Sequence, residues 1–209
     1  MIATPTFKPR SWNLSGLTGI SDATLEMHFG LYEGYVKNTN LLREQLAQFV
    51  GRGKPTGLDP HFAELERRLA FEWSGMRLHE LYFDNLTTKQ TEMIEGSGMH
   101  SQIERVWGSF AEWRAEFAAM GEMRGVGWVI CAQDPRSGTL SNHWIELHQD
   151  GNLPGFTPVL VMDVWEHAWI KDYTPKQRSS YVEAFLSNVD WYICEERIRP
   201  AAPVGAKIA

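Results

Sequence analysis

The sequence predicts an α+β fold, with an N-terminal antiparallel α-helical hairpin followed by a C-terminal α/β domain that carries a small three-stranded antiparallel sheet. Three observations predict it. Two long stretches near the N-terminus repeat inward-facing residues at steps of three and four, three short β-prone runs follow Gly125, and helical patterns return from Trp165. The boundary between the two parts falls in the polar segment from Asn85 to Gly98, giving domains 1–97 and 98–209 with the candidate site between them.

The first twenty residues contain Pro5, Pro9 and several glycines and read as an extended lead-in. A helix starts near Ser21, which can cap it, while Asp22 and Glu26 suit the positive end of the helix dipole. Its inward stripe is Leu25, His28, Tyr32, Tyr35, Thr39, Leu42 and Leu46; Gly51 and Gly53 end it, and residues 54–57 form the turn. The second helix has Asp59 as cap, Pro60 at its first position, and an inward stripe of Leu65, Leu69, Glu72, Met76, His79 and Phe83. Further helix is expected from Gln102 to Ala119, with Val106, Phe110, Trp113 and Phe117 on one face. The strands are expected at 127–132, 140–147 and 159–163, separated by the turn signals Asp-Pro-Arg-Ser-Gly and Asp-Gly-Asn-Leu-Pro-Gly. Helices are expected again at 165–172, 175–186 and 189–198, before a poorly ordered tail.

Composition narrows the function classes. A chain of 209 residues with 43% hydrophobic and 22% charged residues buries a real core, so disorder over most of its length is excluded. A formal net charge of -6 offers no basic excess for phosphate contacts, which disfavours a nucleic-acid partner. Cys131 and Cys194 form no C-x-x-C and read as two free thiols. No stretch is long and apolar enough for a bilayer, no leader pattern stands at the N-terminus, and the expected location is the cytoplasm.

Two histidines, His28 and His79, lie on the inward stripes of the two helices, where a hairpin can bring them to one point. Asp163 and His167 stand four positions apart where the last strand runs into a helix, so both can face one side of that corner. Iron and manganese favour imidazole and carboxylate over thiolate, which matches these four residues as metal ligands. Taken singly, each histidine is more often a satisfied core residue than a ligand, and a D-x-x-x-H pair is common.

The string Asp163-Val164-Trp165-Glu166-His167-Ala168-Trp169 resembles the D-x-W-E-H-A-[FYW] motif of the iron/manganese superoxide dismutases. Residues 21–40 resemble the family's first metal-binding helix and Leu78 to Phe83 its second; Gly125 to Trp128 resemble its G-S-G-W turn, and His148 to Asn152 its H-Q-x-N segment. The resemblance runs from about residue 12 to 198, in the family's order. It implies one iron or manganese ion per chain, held by His28, His79, Asp163 and His167, with Trp128 and Trp165 walling the site. It implies a homodimer or tetramer in which Glu166 reaches the partner's metal-binding histidine, with Tyr173 nearby.

The resemblance also implies that His148 takes the place of a glutamine used by relatives and hydrogen-bonds metal-bound solvent; Gly75, one turn before His79, leaves the space for it. The first helix departs from the family's H-x-x-x-H-H-x-x-Y by one residue. Tyr35, seven positions after His28, remains nearly on the ligand's face and is preferred as the gateway tyrosine, with Tyr32 as the rival. The implied activity is conversion of superoxide to oxygen and hydrogen peroxide by alternating reduction and oxidation of the metal. Arg77 and Lys37 are the cations expected to draw the anion in. Two other functions fit the same residues: a mononuclear iron oxidase, and a metal-holding or partner-binding descendant without turnover.

Overall fold

The computed structural model of the chain describes residues 6–53 and 55–200. Helix α1 spans Asp22–Arg52, and its first turn is closed by the Ser21 hydroxyl accepting the Thr24 N–H. Helix α2 spans Pro60–Asp84, capped by the Asp59 carboxylate, which accepts from the N–H groups of His61 and Phe62. Contacts between the two helices run in opposite residue order, Asn38 with Glu72, Tyr32 with Glu80 and Phe29 with Phe83, which makes the hairpin antiparallel. The lead-in is extended yet anchored. Leu14, Leu17 and Ile20 are buried, and Asn40 exchanges two hydrogen bonds with the backbone of Phe7.

The helix expected from Gln102 to Ala119 is two helices, α3 over Gly98–Trp107 and α4 over Phe110–Gly121. Gly108 takes a left-handed conformation with φ of 84° that terminates α3, and the Ser109 hydroxyl caps α4 at once. The break rotates the faces, so Val106 is exposed and Met99 and Ile103 are buried in its place. Strands β1 (Trp128–Gln133), β2 (Leu140–Ile145) and β3 (Thr157–Asp163) form one antiparallel sheet in the order β2-β1-β3. Every residue of the central strand β1 is buried.

Only a single 3-10 turn, Glu166–Ala168, replaces the helix expected over 165–172, and a second, Pro175–Gln177, leads into α5 (Arg178–Ser187). Helix α6 spans Trp191–Arg197. The expected loose tail falls on residues 201–209, outside the described residues; Arg199, just before it, donates its N–H to Gln133. The hairpin is fastened to the sheet by Asn85, buried at the end of α2, whose side-chain amide donates to the Val161 carbonyl of β3 at 2.8 Å. That joint brings the His79 end of α2 against the C-terminal end of β3.

Candidate metal centre

Four elements deliver one side chain each. His28 comes from α1, His79 from α2, Asp163 from the last position of β3, and His167 from the 3-10 turn behind it. Their ligand-capable atoms all lie within 4.8 Å of one another. Asp163 Oδ2 is the focus, at 3.1 Å from His28 Nε2, 3.0 Å from His167 Nε2 and 3.7 Å from His79 Nε2. The other oxygen, Oδ1, accepts the Trp165 N–H at 2.8 Å, and the Asp163 carbonyl accepts the Tyr181 hydroxyl at 2.5 Å. The carboxylate is therefore held from both sides in one orientation.

Burial alone would raise the Asp163 carboxyl, but the neighbouring imidazoles of His167 and His28 outweigh it and hold the group well below the usual carboxylate range. The same burial pushes His28 below its ordinary value and His79 far below it, so both rings are neutral. His79 Nδ1–H donates to the Gly75 carbonyl at 2.7 Å, which fixes the tautomer and leaves a lone pair on Nε2. That buried Nε2 finds no hydrogen-bond partner among the described residues. An orphaned acceptor, aimed with two other imidazole nitrogens at an ionised carboxylate, is costly unless a cation sits among them.

A second layer covers this group. The Trp128 indole N–H donates to His148 Nδ1 at 3.1 Å, so the neutral His148 ring carries its hydrogen on Nε2, which donates to the Tyr35 hydroxyl at 2.7 Å. Burial pushes His148 down to about 4. The Tyr35 ring lies 5.0 Å from His79, and Trp165 stacks over His167 at 5.9 Å and tilts against His148 at 5.0 Å. Gly75 makes this layer possible: a Cβ there would sit 2.7 Å from the Tyr35 ring and 3.0 Å from the His148 ring. Tyr32 belongs elsewhere. Its hydroxyl donates to Glu80 and accepts the Arg10 N–H, and burial pushes it up to about 12.

Two sequence-derived candidates lie on the outer side. Glu166 is exposed beside His167, whereas the Tyr173 hydroxyl is engaged within the chain, donating to the Gly19 carbonyl. Two contributors escaped the sequence reading. Tyr181, which braces Asp163, comes from α5 with no local signal, and Phe71, whose ring packs 4.5 Å from His148, stands eight positions before His79, a spacing that places it near the same helix face.

Comparison with known proteins finds relatives over most of the chain. Residues 95–197 match the family profile described as iron/manganese superoxide dismutases, C-terminal domain. A protein named superoxide dismutase [Fe] from Cupriavidus metallidurans is 35% identical over 93% of this chain and 96% of its own length. The chain belongs to the iron/manganese superoxide dismutase family. Other relatives in the family include superoxide dismutase [Fe] of Aquifex pyrophilus, 35% identical over 88% of this chain and 87% of its own, and superoxide dismutase [Mn] 1 of Halobacterium salinarum, 34% identical over 88% of each. The four residues fit the ion for which this family is named. Three imidazoles and one carboxylate with no thiolate form a donor set suited to iron or manganese, and the lone pair left on His79 Nε2 has no hydrogen-bond partner among the described residues.

Proposed function

We propose that this chain is a superoxide dismutase, converting superoxide to oxygen and hydrogen peroxide with one iron or manganese ion held by His28, His79, Asp163 and His167. The observation that carries the proposal is the convergence of three imidazole nitrogens, one of them orphaned, on Asp163 Oδ2, in a chain that shares about a third of its residues with enzymes of that name. One-electron exchange with superoxide is the chemistry the ion supplies when bound. Disproportionation also consumes two protons for every two superoxide ions, and supplying them falls to the protein.

His148, Trp128 and Tyr35 form the chain of hydrogen bonds suited to that task. Because His148 donates to Tyr35, the Tyr35 hydroxyl is left with its own hydrogen to offer toward the centre. Trp128 and Trp165 exclude bulk water from the ligands and orient His148. Tyr35, with its ring against both His79 and His148, is the gateway residue in this reading, and Tyr32 packs the hairpin.

The hairpin (1–97) and the α+β part (98–209) act as two domains that contribute two ligands each. A homodimer, alone or within a tetramer, is supported by exposed Glu166 beside half-buried His167, and by Ile170, exposed next to them. Tyr173 would join that interface through its ring, its hydroxyl being taken. Among the described residues no helix is long and apolar enough to cross a membrane. Two buried, unpaired cysteines support a reducing compartment, the cytoplasm.

The purified protein, loaded separately with iron and with manganese, tests the activity directly by the decay of a superoxide pulse. Acceleration in proportion to bound metal is expected with at least one of them. Decay no faster than in buffer with both metals fully bound would refute the assignment. Sedimentation of the same samples is expected to give a dimer or tetramer, and a fully active monomer would remove the Glu166 interface.

A further inference from the structure

Arg77 and Lys37, the cations that the sequence offers for attracting an anion, stand two positions from His79 and Tyr35, about 200° around their helices from the site. A different cation lies on the correct face. Arg68, Glu72 and Gly75 precede His79 by eleven, seven and four positions, which places all four side-chain directions within about 60° of arc on one face of α2. The row runs roughly 16 Å along the helix, from the surface to the metal ligand.

The Arg68 guanidinium lies 4.5 Å over the Phe71 ring, and that ring also packs against His148, at 4.5 Å, and Tyr35, at 6.0 Å. One aromatic ring therefore separates the charge from the gate. The buried Glu72 carboxylate holds Arg68 from beneath, its Oε1 accepting from Nε at 2.7 Å and lying 2.6 Å from Nη2, while Asn38 on α1 donates to its Oε2. Glu72 is buried and the Arg68 side chain is 52% exposed, so an approaching anion meets the positive end of the pair first. A surface arginine held by a ring and a buried carboxylate keeps its planar group in one place, unlike a free lysine.

Attraction of superoxide by positive potential is general to superoxide dismutases. We propose that in this chain Arg68, fixed over Phe71 by Glu72, is the residue that recruits the anion to the mouth of the Tyr35–His148 gate. The inference rests on the dismutase reading for its substrate, and the mutant series separates the two.

Azide, a monovalent anion, serves as probe, with its association rate read by stopped-flow absorbance on the iron-loaded protein at matched metal content. Arg68→Gln keeps a hydrogen-bond donor for Glu72 and removes the charge; the azide association rate, and kcat/KM for superoxide, are expected to fall on the order of 3- to 10-fold at low ionic strength with kcat and the azide dissociation rate unchanged. Salt dependence of both should flatten. Arg68→Lys should stay within about twofold of the native rates, and Glu72→Gln should speed azide entry. Native rates and native salt dependence in Arg68→Gln would overturn the proposal, as would an equal loss in Arg68→Lys, which would make the role one of packing. If azide entry responds as expected while the native protein fails to dismutate superoxide, the recruiting site stands and the dismutase reading falls.

Discussion

His148 is neutral because burial disfavours its charged form, and its hydrogen bonds follow from that neutrality: Trp128 donates to one ring nitrogen and the other donates to Tyr35. Replacing it with alanine leaves the four ligands in place, so bound metal should survive while turnover falls about 10- to 100-fold, as for other lost outer partners of metal sites. Native turnover at equal metal content would place His148 outside the proton path. Its titration has a stability consequence. The folded value, about 4, lies below the ordinary value near 6.5, so the unfolded chain binds more protons between those pH values. The stabilisation is complete above about pH 6.5 and is lost as pH falls toward 4. Denaturant unfolding should show a shallower loss across that window in His148→Gln than in the native protein, and equal slopes would contradict the buried neutral ring. Gly75 tests the same layer from the other side. A methyl group at Gly75 collides with the rings of Tyr35 and His148, so Gly75→Ala should cut turnover while His79 keeps its metal. A glutamine at position 75 finds no room beside those rings, so a donor cannot be supplied from α2 in this chain without moving Tyr35.

At the scale of elements, the turn before β1 shows how backbone geometry secures the site. Gly127 has φ of 141°, and a Cβ there would lie 2.1 Å from the Ile145 carbonyl oxygen. The Gly127 carbonyl also accepts the Val164 N–H, next to Asp163 of the candidate centre. Gly127→Ala should therefore cost about 2 kcal/mol or more, lowering Tm by roughly 4 to 8 °C, and a Tm unchanged in calorimetry would show that the turn relaxes freely. The hairpin was legible in the sequence because its caps, Ser21 and Asp59, and its long stripes are local signals that tertiary contacts did not override. His28 and His79 were legible as neighbours for the same reason, each standing on a stripe, whereas Asp163 and His167 were singled out by their four-residue spacing and by the resemblance of residues 163–169 to the family motif. The break at Gly108-Ser109 was misread because the apolar spacing on either side of it continues almost in phase, although a glycine followed by a capping serine is itself a stop-and-start signal. Glu166–Ala168 was misread as a longer helix because Asp163 captures the Trp165 N–H, a tertiary constraint that no window of sequence displays. The contributions of Tyr181 and Phe71 were invisible for a related reason: each acts through a contact made only when α5 or α2 is packed against the sheet and its loops.

For the molecule as a whole, a net charge of -6 coexists with an anionic substrate because the field at one opening, not the total, governs approach. The two cysteines bear on compartment and handling. Burial pushes the Cys194 thiol up to about 12 and the Cys131 thiol higher still, so neither supplies thiolate at neutral pH. A thiol reagent at pH 8 should label no cysteine in the native protein and two after denaturation, and rapid labelling of the native protein would show that the core opens around β1 or α6. His28 and His79 come from the hairpin and Asp163 and His167 from the part that follows it, so, on the proposed function, metal loss is expected to loosen the contact between these parts as well as abolish turnover. The most direct test of the whole account is the metal content of His79→Ala measured beside the native protein prepared in parallel. Among the described residues the free nitrogen of His79 has no hydrogen-bond partner, and its removal leaves three of the four donors of the cluster. One iron or manganese per native chain and a small fraction of that in the variant, with helix content retained, is the predicted result; full occupancy in His79→Ala would contradict the assignment of the centre.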